Sequence, residues 1–353
     1  MRCWCVVLGL VAGCGFSPPA TAVIGDGGSG MGSDAGSGSA GSGMRSLTID
    51  LGNTNDDLVG FTILVTLDAS RVDYADVPDP RHGFMFTDQS GGLLDYDVDH
   101  WNPSGTSALW VRLPPVPANA KPTITMKYGS GMPAADTFAT WGGFTQVLHF
   151  DTLPLGDSAG GSYPPSANAM VAAAPDGQIG TAGGFVNGGQ VSFANSQMLY
   201  DHWSSFTLGF WMYANYAPGT TGASPVVLNR GGGIANGTII ETLPLPQFAV
   251  TFNFDGGTSP TFTPTLAFTF RQWTYFAYTY DGDTLRAYVN GLELESDGLV
   301  GSRLALDNTD VFTLGAQLNG SIDEFELDQA ERPGDWIGAQ YKSQTDQAIT
   351  FSP

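Results

Sequence analysis

The sequence predicts an all-β protein whose folded part consists of two antiparallel β-sandwich domains behind a signal peptide and a disordered Gly/Ser tether. From Met44 onward, short runs of alternating apolar and polar residues are separated by turn residues at intervals of about 8–12, a pattern typical of sandwiches. Asn290-Gly291 lies between two such runs, and this dipeptide favours the tight turn of a β-hairpin. No helical stripe of apolar residues appears before about residue 330.

Residues 1–13 have the features of a secretory signal: an early Arg2, a short apolar run and small residues at its end. The run is much shorter than the roughly 20 residues that a membrane-spanning helix needs. Val11-Ala12-Gly13-Cys14 resembles the bacterial lipobox, which implies cleavage before Cys14 and a lipid on its thiol. Gly15 follows, and the resemblance to Gram-negative sorting signals implies a place in the outer membrane or at the cell surface. The alternative is an ordinary signal peptide cut elsewhere.

Residues 14–43 are dominated by Gly, Ser and Ala and predict a flexible linker, because they contain too few bulky residues to form a core. Such a coil spans on the order of 25–30 Å, enough to hold a domain clear of lipid headgroups. All three cysteines lie within the first 14 residues, so the folded part has no disulfide and depends on apolar packing. The rest of the chain is long enough for two cores, which we place at 44–135 and 140–353.

The chain is acidic, with 13 Lys and Arg against 34 Asp and Glu and a formal net charge of −21. Such a surface repels the phosphates of nucleic acid and of anionic lipid. Nucleic-acid binding is therefore excluded, and we expect contact with the membrane through the lipid anchor only. Charged residues make up only 13% of the chain, a composition that points to no particular partner.

The strand-like runs of the first domain are 47–51, 61–67, 108–113 and 123–128. Those of the second domain are 147–150, 190–193, 206–213, 247–252, 273–280, 284–289 and 292–295. Residues 163–189 are predicted to be loop-like, and residues 335–343 to form one short helix. In each strand the alternation places one face on a core.

The first domain carries bulky residues in an order that resembles one bacterial family. The sequence reads HGFMFTD at 82–88, LLDYDVDHW at 93–101, ALWVRLP at 108–114 and MKYG at 126–129. This order is similar to that of domain-of-unknown-function family 2341. The resemblance covers about 44–135 and implies a β-sandwich in an envelope setting, with no assigned activity.

The second domain carries a longer series of such phrases. They are LHFD at 148–151, DSAG at 157–160, FTLGFWM at 206–212, WTYFAYTYDG at 273–282, AYVNG at 287–291, LG at 314–315, GSIDEF at 320–325 and DWIGAQY at 335–341. The series resembles laminin-G-like, concanavalin A-type jelly rolls and covers about 140–350. Residues 163–189 depart from the tighter turn of that family, so no site is carried over from that segment.

Hydrolases that share this jelly roll resemble one another in a strand phrase, Glu-x-Asp-x-x-Glu, that supplies a nucleophile, a helper and an acid. The nearest string here begins with Ser321, whose hydroxyl cannot form the glycosyl ester that retaining hydrolysis requires. Asp323 and Glu326 are three residues apart, so a regular strand would place them on opposite faces. The histidines show no zinc-type spacing, and they are His82, His100, His149 and His202. We therefore predict that the protein is not an enzyme, with a glycoside hydrolase as the alternative.

The resemblance to laminin-G-like domains implies one calcium ion at the rim of the sandwich, bound by carboxylates, carbonyl oxygens and water. The candidate ligands are Asp151, Asp157, Asp281, Asp283 and Asp323. For Asp281 and Asp283 the alternative is turn chemistry, and for Asp323 it is hydrogen bonding to nearby backbone. Asp95, Asp97 and Asp99 alternate on one strand face, which we interpret as solvated.

Exposed aromatic rings could stack on a sugar, and the candidates are Trp101, Tyr200 and Trp203. Together these observations predict a lipid-anchored envelope protein that acts as a non-catalytic binding or adhesion module for a glycan or an extracellular protein. Calcium is the one candidate cofactor. Besides the hydrolase, a passive structural surface protein remains an alternative.

Overall fold

A computed structural model describes residues 42–186, 188–196, 203–215, 226–229, 239–242, 248–252, 254, 261–262, 269–298, 311–315 and 318–353. The predicted signal peptide, lipidation of Cys14 and the sugar-stacking role of Tyr200 lie outside the described residues. No helix within these ranges is long and apolar enough to cross a bilayer.

The described strands are β1 (Ser42–Ile49), β2 (Thr62–Leu67), β3 (Phe84–Thr87), β4 (Leu93–Leu94), β5 (Tyr96–His100), β6 (Ser107–Arg112), β7 (Thr123–Gly129), β8 (Gln146–Leu148), β9 (Pro165–Ala167), β10 (Val171–Ala174), β11 (Ala182–Phe185), β12 (Val191–Phe193), β13 (Phe206–Ala214), β14 (Val226–Asn229), β15 (Ile239–Thr242), β16 (Phe248–Thr251), β17 (Thr261–Phe262), β18 (Thr274–Tyr280), β19 (Thr284–Val289), β20 (Leu292–Gly298), β21 (Thr313–Leu314), β22 (Gly320–Asp328) and β23 (Ile349–Ser352). The helices are α1 (Thr137–Thr140) and α2 (Gly334–Gln344), with short 3-10 turns at Tyr74–Asp76 and Pro80–His82.

The first sandwich consists of a five-stranded sheet, β23-β1-β7-β3-β4, and a three-stranded sheet, β2-β6-β5. Their strands pair antiparallel. Five of the six residues of β2 and of β6 are buried, so the three-stranded sheet is covered on both faces. A sheet with one face in solvent would show alternation instead. The second face of this sheet must therefore contact another part of the protein.

The second sandwich consists of an eight-stranded sheet, β10-β11-β22-β13-β18-β19-β20 with β8 beside β22, and a seven-stranded sheet, β17-β16-β15-β14-β21-β12-β9. The predicted hairpin is confirmed: Asn290 and Gly291 have φ of 50° and 79° and join β19 to β20. The predicted helix is confirmed as α2. The prediction of a loop over residues 163–189 is wrong, because β9, β10 and β11 lie there and pair with strands of both sheets.

The two sandwiches form one compact unit, Ala40–Pro353, and contacts cross the predicted boundary near residue 140. β23 pairs with β1, so the end of the predicted second domain belongs to the first sandwich. The predicted linker ends before Ser42, because β1 begins there. Helix α2 packs on the three-stranded sheet: the Trp336 ring lies 5.4 Å from that of Phe61, and the Leu64 amide donates to the Ser343 hydroxyl at 2.9 Å.

We expect Trp336→Ala to destabilise the whole unit, because the indole is fully buried where α2 meets the first sandwich. Removing a buried indole costs about 3–5 kcal/mol of unfolding free energy. Urea unfolding followed by circular dichroism measures the loss, with Leu93→Ala, at a side chain 65% exposed, as the control. A variant that unfolds in two separate transitions would contradict the single unit.

Candidate functional site

Seven titratable side chains gather where the two sandwiches meet, and we call them the junction cluster. Two come from β5 of the first sandwich, two from the segment after β8, and three from β22 of the second sandwich. Each is buried or nearly so, and they lie in mutual electrostatic contact. The cluster consists of Asp97, Asp99, His149, Asp151, Asp323, Glu324 and Glu326.

The alternation of β5 explains how its aspartates reach the cluster. Tyr96 is buried in the first core, where its ring lies 5.5 Å from that of Phe86, so Asp97 points from the opposite face. Asp97 and Asp99 both approach His149, as expected of side chains that share a face. The interpretation of this face as solvated is wrong for these two: their side chains are 4% and 0% exposed, because the second sandwich covers them.

His149 lies at the centre of the cluster. Its Nδ1 is 2.7 Å from Glu324 Oε2 and 3.6 Å from Asp99 Oδ2, and its Nε2 is 3.5 Å from Asp97 Oδ2. Burial alone would lower the pKa of His149, but the Asp99 and Asp97 carboxylates outweigh it and raise the pKa to about 9. In the absence of a bound cation, the imidazole is therefore a positive charge held among carboxylates.

Two indoles and a hydroxyl hold the first-sandwich carboxylates in place. Trp141 Nε1 donates to Asp97 Oδ2 at 3.0 Å, and the Thr137 hydroxyl donates to Asp97 Oδ1 at 2.6 Å. Trp110 Nε1 donates to Asp99 Oδ2 at 3.0 Å. Charge-assisted hydrogen bonds of this kind fix a carboxylate strongly. These hydrogen bonds therefore fix the positions of the Asp97 and Asp99 carboxylates in the unliganded protein.

A β-bulge in β22 brings its acidic residues to one side. Gly209 pairs with Glu326 and Trp211 with Asp323, so β22 has one residue more than β13 over this stretch. Glu324 has a φ of 47° at this point, which is unusual for a residue with a Cβ. Ile322 and Phe325 consequently both face the core of the second sandwich, although they are three residues apart.

The same bulge overturns the expectation that Asp323 and Glu326 lie on opposite faces. Glu326 Oε1 accepts from Gln340 Nε2 at 2.7 Å and from Gln344 Nε2 at 3.3 Å, both on α2. Trp211, the partner of Asp323 in the sheet, donates to Gln344 Oε1. Both residues are buried: Glu326, 4% exposed, lies beneath α2, and Asp323, 0% exposed, accepts from the Ile179 amide. Neither carboxylate therefore lies in an open groove of the kind that a hydrolase offers to a sugar chain.

Asp151 links the two sandwiches. Its Oδ1 accepts from the Thr181 amide at 2.7 Å and lies 3.1 Å from His100 Nδ1. Burial would raise the pKa of Asp151, but hydrogen bonds from His100 and Asp99 lower it. Asp99 has the opposite shift, because burial and the negative charges of Glu324 and Asp151 raise its pKa well above the usual range. The opposite shifts favour a protonated Asp99 beside an ionised Asp151.

Burial also raises the pKa of the three junction-cluster carboxyl groups on β22. The pKa values of Asp323 and Glu324 lie well above the usual range, and that of Glu326 is raised to about 7. Asp323 is held by the amides of Ile179 at 3.0 Å and Glu324 at 3.1 Å, the backbone hydrogen bonding named as its alternative role. These three carboxyl groups therefore favour the protonated form more strongly than exposed carboxyl groups do.

A cavity of about 460 Å³ opens onto the cluster. Asp97, Asp99, His149 and Asp151 lie at its wall, and Phe138 on α1 lines it with a ring on a residue that is 63% exposed. The other lining residues are Arg81, Val98, Ala135, Asp136, Thr137, Phe150, Thr152, Gly156, Asp157 and Ser158. This is a concave site with many acceptors and one accessible ring.

The five aspartates predicted to bind calcium do not form one group. Asp157 accepts four hydrogen bonds, from three backbone amides and Gln146, and so fixes the turn that follows β8. Asp281 is occupied by the amides of Asp283 and Thr284 and by Arg286, which is turn chemistry. Calcium takes six to eight oxygen ligands, so these five candidates would have to act at separate sites, and calcium binding stays a prediction.

The predicted sugar-stacking tryptophans are partly buried. The Trp101 ring lies 4.9 Å from that of Tyr74 and 5.8 Å from that of Phe84, at the edge of the first core. Trp203 packs against the core of the second sandwich. Phe138 lines the cavity but was not among the predicted stacking residues. A single Phe between the two predicted domains carries no periodic signal. Asp97 and Asp99 could have been found by their alternation.

Comparison with known families locates two modules in the chain. Residues 82–154 match a domain of unknown function, DUF2341, and residues 183–337 match the concanavalin A-like lectin/glucanases superfamily. With the antiparallel sheets, these matches confirm the predicted fold class and the order of the modules. No curated protein matches the chain.

Three solved structures are similar to parts of the chain. The binding domain of Paraclostridial Mosquitocidal Protein 1 is 12% identical over 57% of this chain and 52% of that chain, with a TM-score of 0.48. The Botulinum Neurotoxin serotype G binding domain is 12% identical over 57% and 51%, with a TM-score of 0.47. Domain 4 of an extracellular arabinanase from Geobacillus stearothermophilus, in complex with arabinotriose, is 21% identical over 58% and 98%, with a TM-score of 0.43. The chain spans about half the length of the two toxin domains.

We expect His149→Ala to destabilise the protein, because it leaves buried carboxylates without their counter-charge. Breaking a buried ion pair in this way costs about 3–5 kcal/mol of unfolding free energy. Urea unfolding measures the effect, and His82→Ala is the matched control because that histidine pairs with Asp79 at the surface. Equal stability of the two variants would show that His149 does not balance the cluster.

Proposed function

We propose that this chain is an envelope-anchored, non-catalytic module that binds a neutral glycan in the cavity at the junction of its two sandwiches. The observation that carries the proposal is the pairing, in one cavity, of an accessible aromatic ring with several carboxylate acceptors. Sugars offer an apolar C–H face and a rim of hydroxyl donors, and a site of this kind contacts both.

Phe138 is positioned for stacking by a short helix and a glycine. Asp136 caps α1 by accepting from the Ala139 amide at 2.9 Å. The ring lies against Gly160, where a Cβ would come within 2.7 Å of the ring carbon Cδ1. Gly160 also has a φ of 67°, which favours glycine. Gly160 therefore supports one side of the ring, while the side chain stays accessible.

The charge of the cavity selects among glycans. Five of its lining residues are aspartates, and Arg81 is the one lysine or arginine that lines it in the described part of the chain. Carboxylates accept strong hydrogen bonds from hydroxyl groups, whereas they repel sulfate and sialic acid carboxylate. A neutral glycan therefore fits best.

The anchor part of the proposal depends on the lipobox-like sequence ending at Cys14 and the Gly/Ser segment that follows. A lipid at Cys14 would tether the sandwiches to a membrane of the Gram-negative envelope and place the cavity near surface polysaccharides. Glycan binding in this cavity is proposed without calcium, and calcium binding by the predicted aspartates stays a separate prediction.

The hydrolase alternative has one observation in its favour, since the pKa values of Asp99 and Asp151 are shifted in opposite directions beside a cavity. Their separation argues against it. The two carboxyl groups are within hydrogen-bonding reach, whereas glycoside hydrolysis needs about 5 Å or more between them. Release of reducing sugar from a bound glycan would favour the hydrolase.

We expect Phe138→Ala to weaken glycan binding by roughly tenfold or more, since burying a phenyl ring contributes about 1.5–3 kcal/mol. A glycan array run on the wild type identifies neutral and anionic ligands, and isothermal titration then compares the variants. Leu292→Ala is the control, because this side chain on β20 is 70% exposed and does not line the cavity. If no glycan on the array binds the wild type, or if Phe138→Ala binds a glycan as tightly as the wild type, the proposal is contradicted. Either result would favour a passive structural protein.

Lipidation is tested separately by mass spectrometry of the mature amino terminus from cells. We expect a diacylated or triacylated Cys14 as the first residue. An unmodified terminus beginning beyond Ala20 would remove the anchor from the proposal and leave the glycan site unaffected.

A further inference from the structure

Asp99, His149 and Glu324 each offer one ligand atom within 4.8 Å of the others. In the part of the chain that the structure describes, no other three acidic, histidine or cysteine side chains meet this condition. An ion with bonds of about 2.0–2.2 Å separates neighbouring tetrahedral ligands by roughly 3.4 Å. The distances from His149 Nδ1, 2.7 Å to Glu324 and 3.6 Å to Asp99, lie on either side of that value.

Two buried oxygens of this group have no hydrogen-bond partner. They are Asp99 Oδ1 and Glu324 Oε1, on side chains that are 0% exposed. A buried carboxylate oxygen without a donor is costly, and native proteins satisfy such atoms with a proton, a water or an ion. Among the described residues, neither carboxylate forms a salt bridge with lysine or arginine. A cation bound between the two carboxylates would supply the missing partner of both oxygens.

The surroundings of the group are those of a metal site. Metal-ligating histidines commonly point their second ring nitrogen at a carboxylate, and Nε2 of His149 faces Asp97 Oδ2 at 3.5 Å. Asp97 is in turn held by Trp141 and Thr137, and Asp99 by Trp110. The imidazole Nδ1 is thereby directed at the space shared with Asp99 and Glu324.

We propose that Asp99, His149 and Glu324 bind a divalent transition-metal ion, with Zn²⁺ the best fit. One imidazole nitrogen and two carboxylates are a mixed set that suits Zn²⁺, whereas calcium prefers oxygen ligands only. Asp99 and His149 line the cavity, which gives the ion an entrance and leaves a coordination position for water or for a ligand hydroxyl. The inference is independent of glycan binding, because metal binding is measured on the protein alone.

The test uses the purified full-length protein, stripped with a chelator and titrated calorimetrically with Zn²⁺, Mn²⁺ and Ca²⁺ in turn. We expect one Zn²⁺ per chain. Glu324→Gln and Asp99→Asn keep the shape of the side chain and should each weaken Zn²⁺ binding by at least 100-fold. Asp97→Asn changes the carboxylate that faces His149 Nε2 and leaves the three ligands in place, so it should weaken Zn²⁺ binding by about 10- to 100-fold with the same stoichiometry. Asp283→Asn, at an exposed turn, is the control and should bind as the wild type does.

Visible absorption of the Co²⁺-substituted protein provides a second readout, because d–d bands of four- or five-coordinate cobalt report the ligand set. These bands should appear in the wild type and in Asp283→Asn and be absent in Glu324→Gln, with circular dichroism verifying that each variant is folded. Folded Glu324→Gln and Asp99→Asn proteins that bind Zn²⁺ with unchanged affinity would overturn the proposal. A site that takes Ca²⁺ more tightly than Zn²⁺ would overturn it as well.

Discussion

Burial of His149 among carboxylates from both sandwiches is the interaction on which the rest of the structure depends. Asp97 and Asp99 reach it from β5, and Glu324 reaches it from β22. Removing several charges from water costs several kcal/mol for each ion, so these groups are stable only when they compensate one another. Without the charge pairing at His149, each sandwich would bury its acidic side chains at the junction without compensation. The junction is therefore polar at its centre, with apolar contacts through α2 beside it.

The β-bulge in β22 makes this arrangement possible. Without the extra residue at Glu324, strict alternation would turn either Asp323 or Glu326 into the apolar core of the second sandwich. With it, Ile322, Phe325 and Leu327 fill that core while the acidic residues face α2 and the first sandwich. Bulges often lie beside functional sites because they redirect side chains in this way. The unusual φ of Glu324 is consistent with such a role.

The predictions from sequence succeeded where the signal was local. The Asn290-Gly291 turn, α2 and most strands could be located because each depends on a few neighbouring residues. The strands within 163–189 gave little periodic signal, because they are three or four residues long and rich in Gly and Ala. The calcium ligands were proposed from a family resemblance, and the structure shows that Asp157 and Asp281 accept hydrogen bonds within their own turns. His149 appeared as one of four scattered histidines, because its partner Glu324 is 175 residues away.

By itself the sequence determined the all-β class, the order of the two modules, the hairpin and the absence of disulfides from the folded part, since periodicity, turn chemistry and composition act over short distances. Only the tertiary structure decided that Asp97 and Asp99 are buried, that Asp323 and Glu326 share a side of β22, and that Phe138 lines a cavity. The physical reason is that alternation shows which residues share a face but not what covers that face. What packs on each face was decided by contacts between segments that are far apart in the chain.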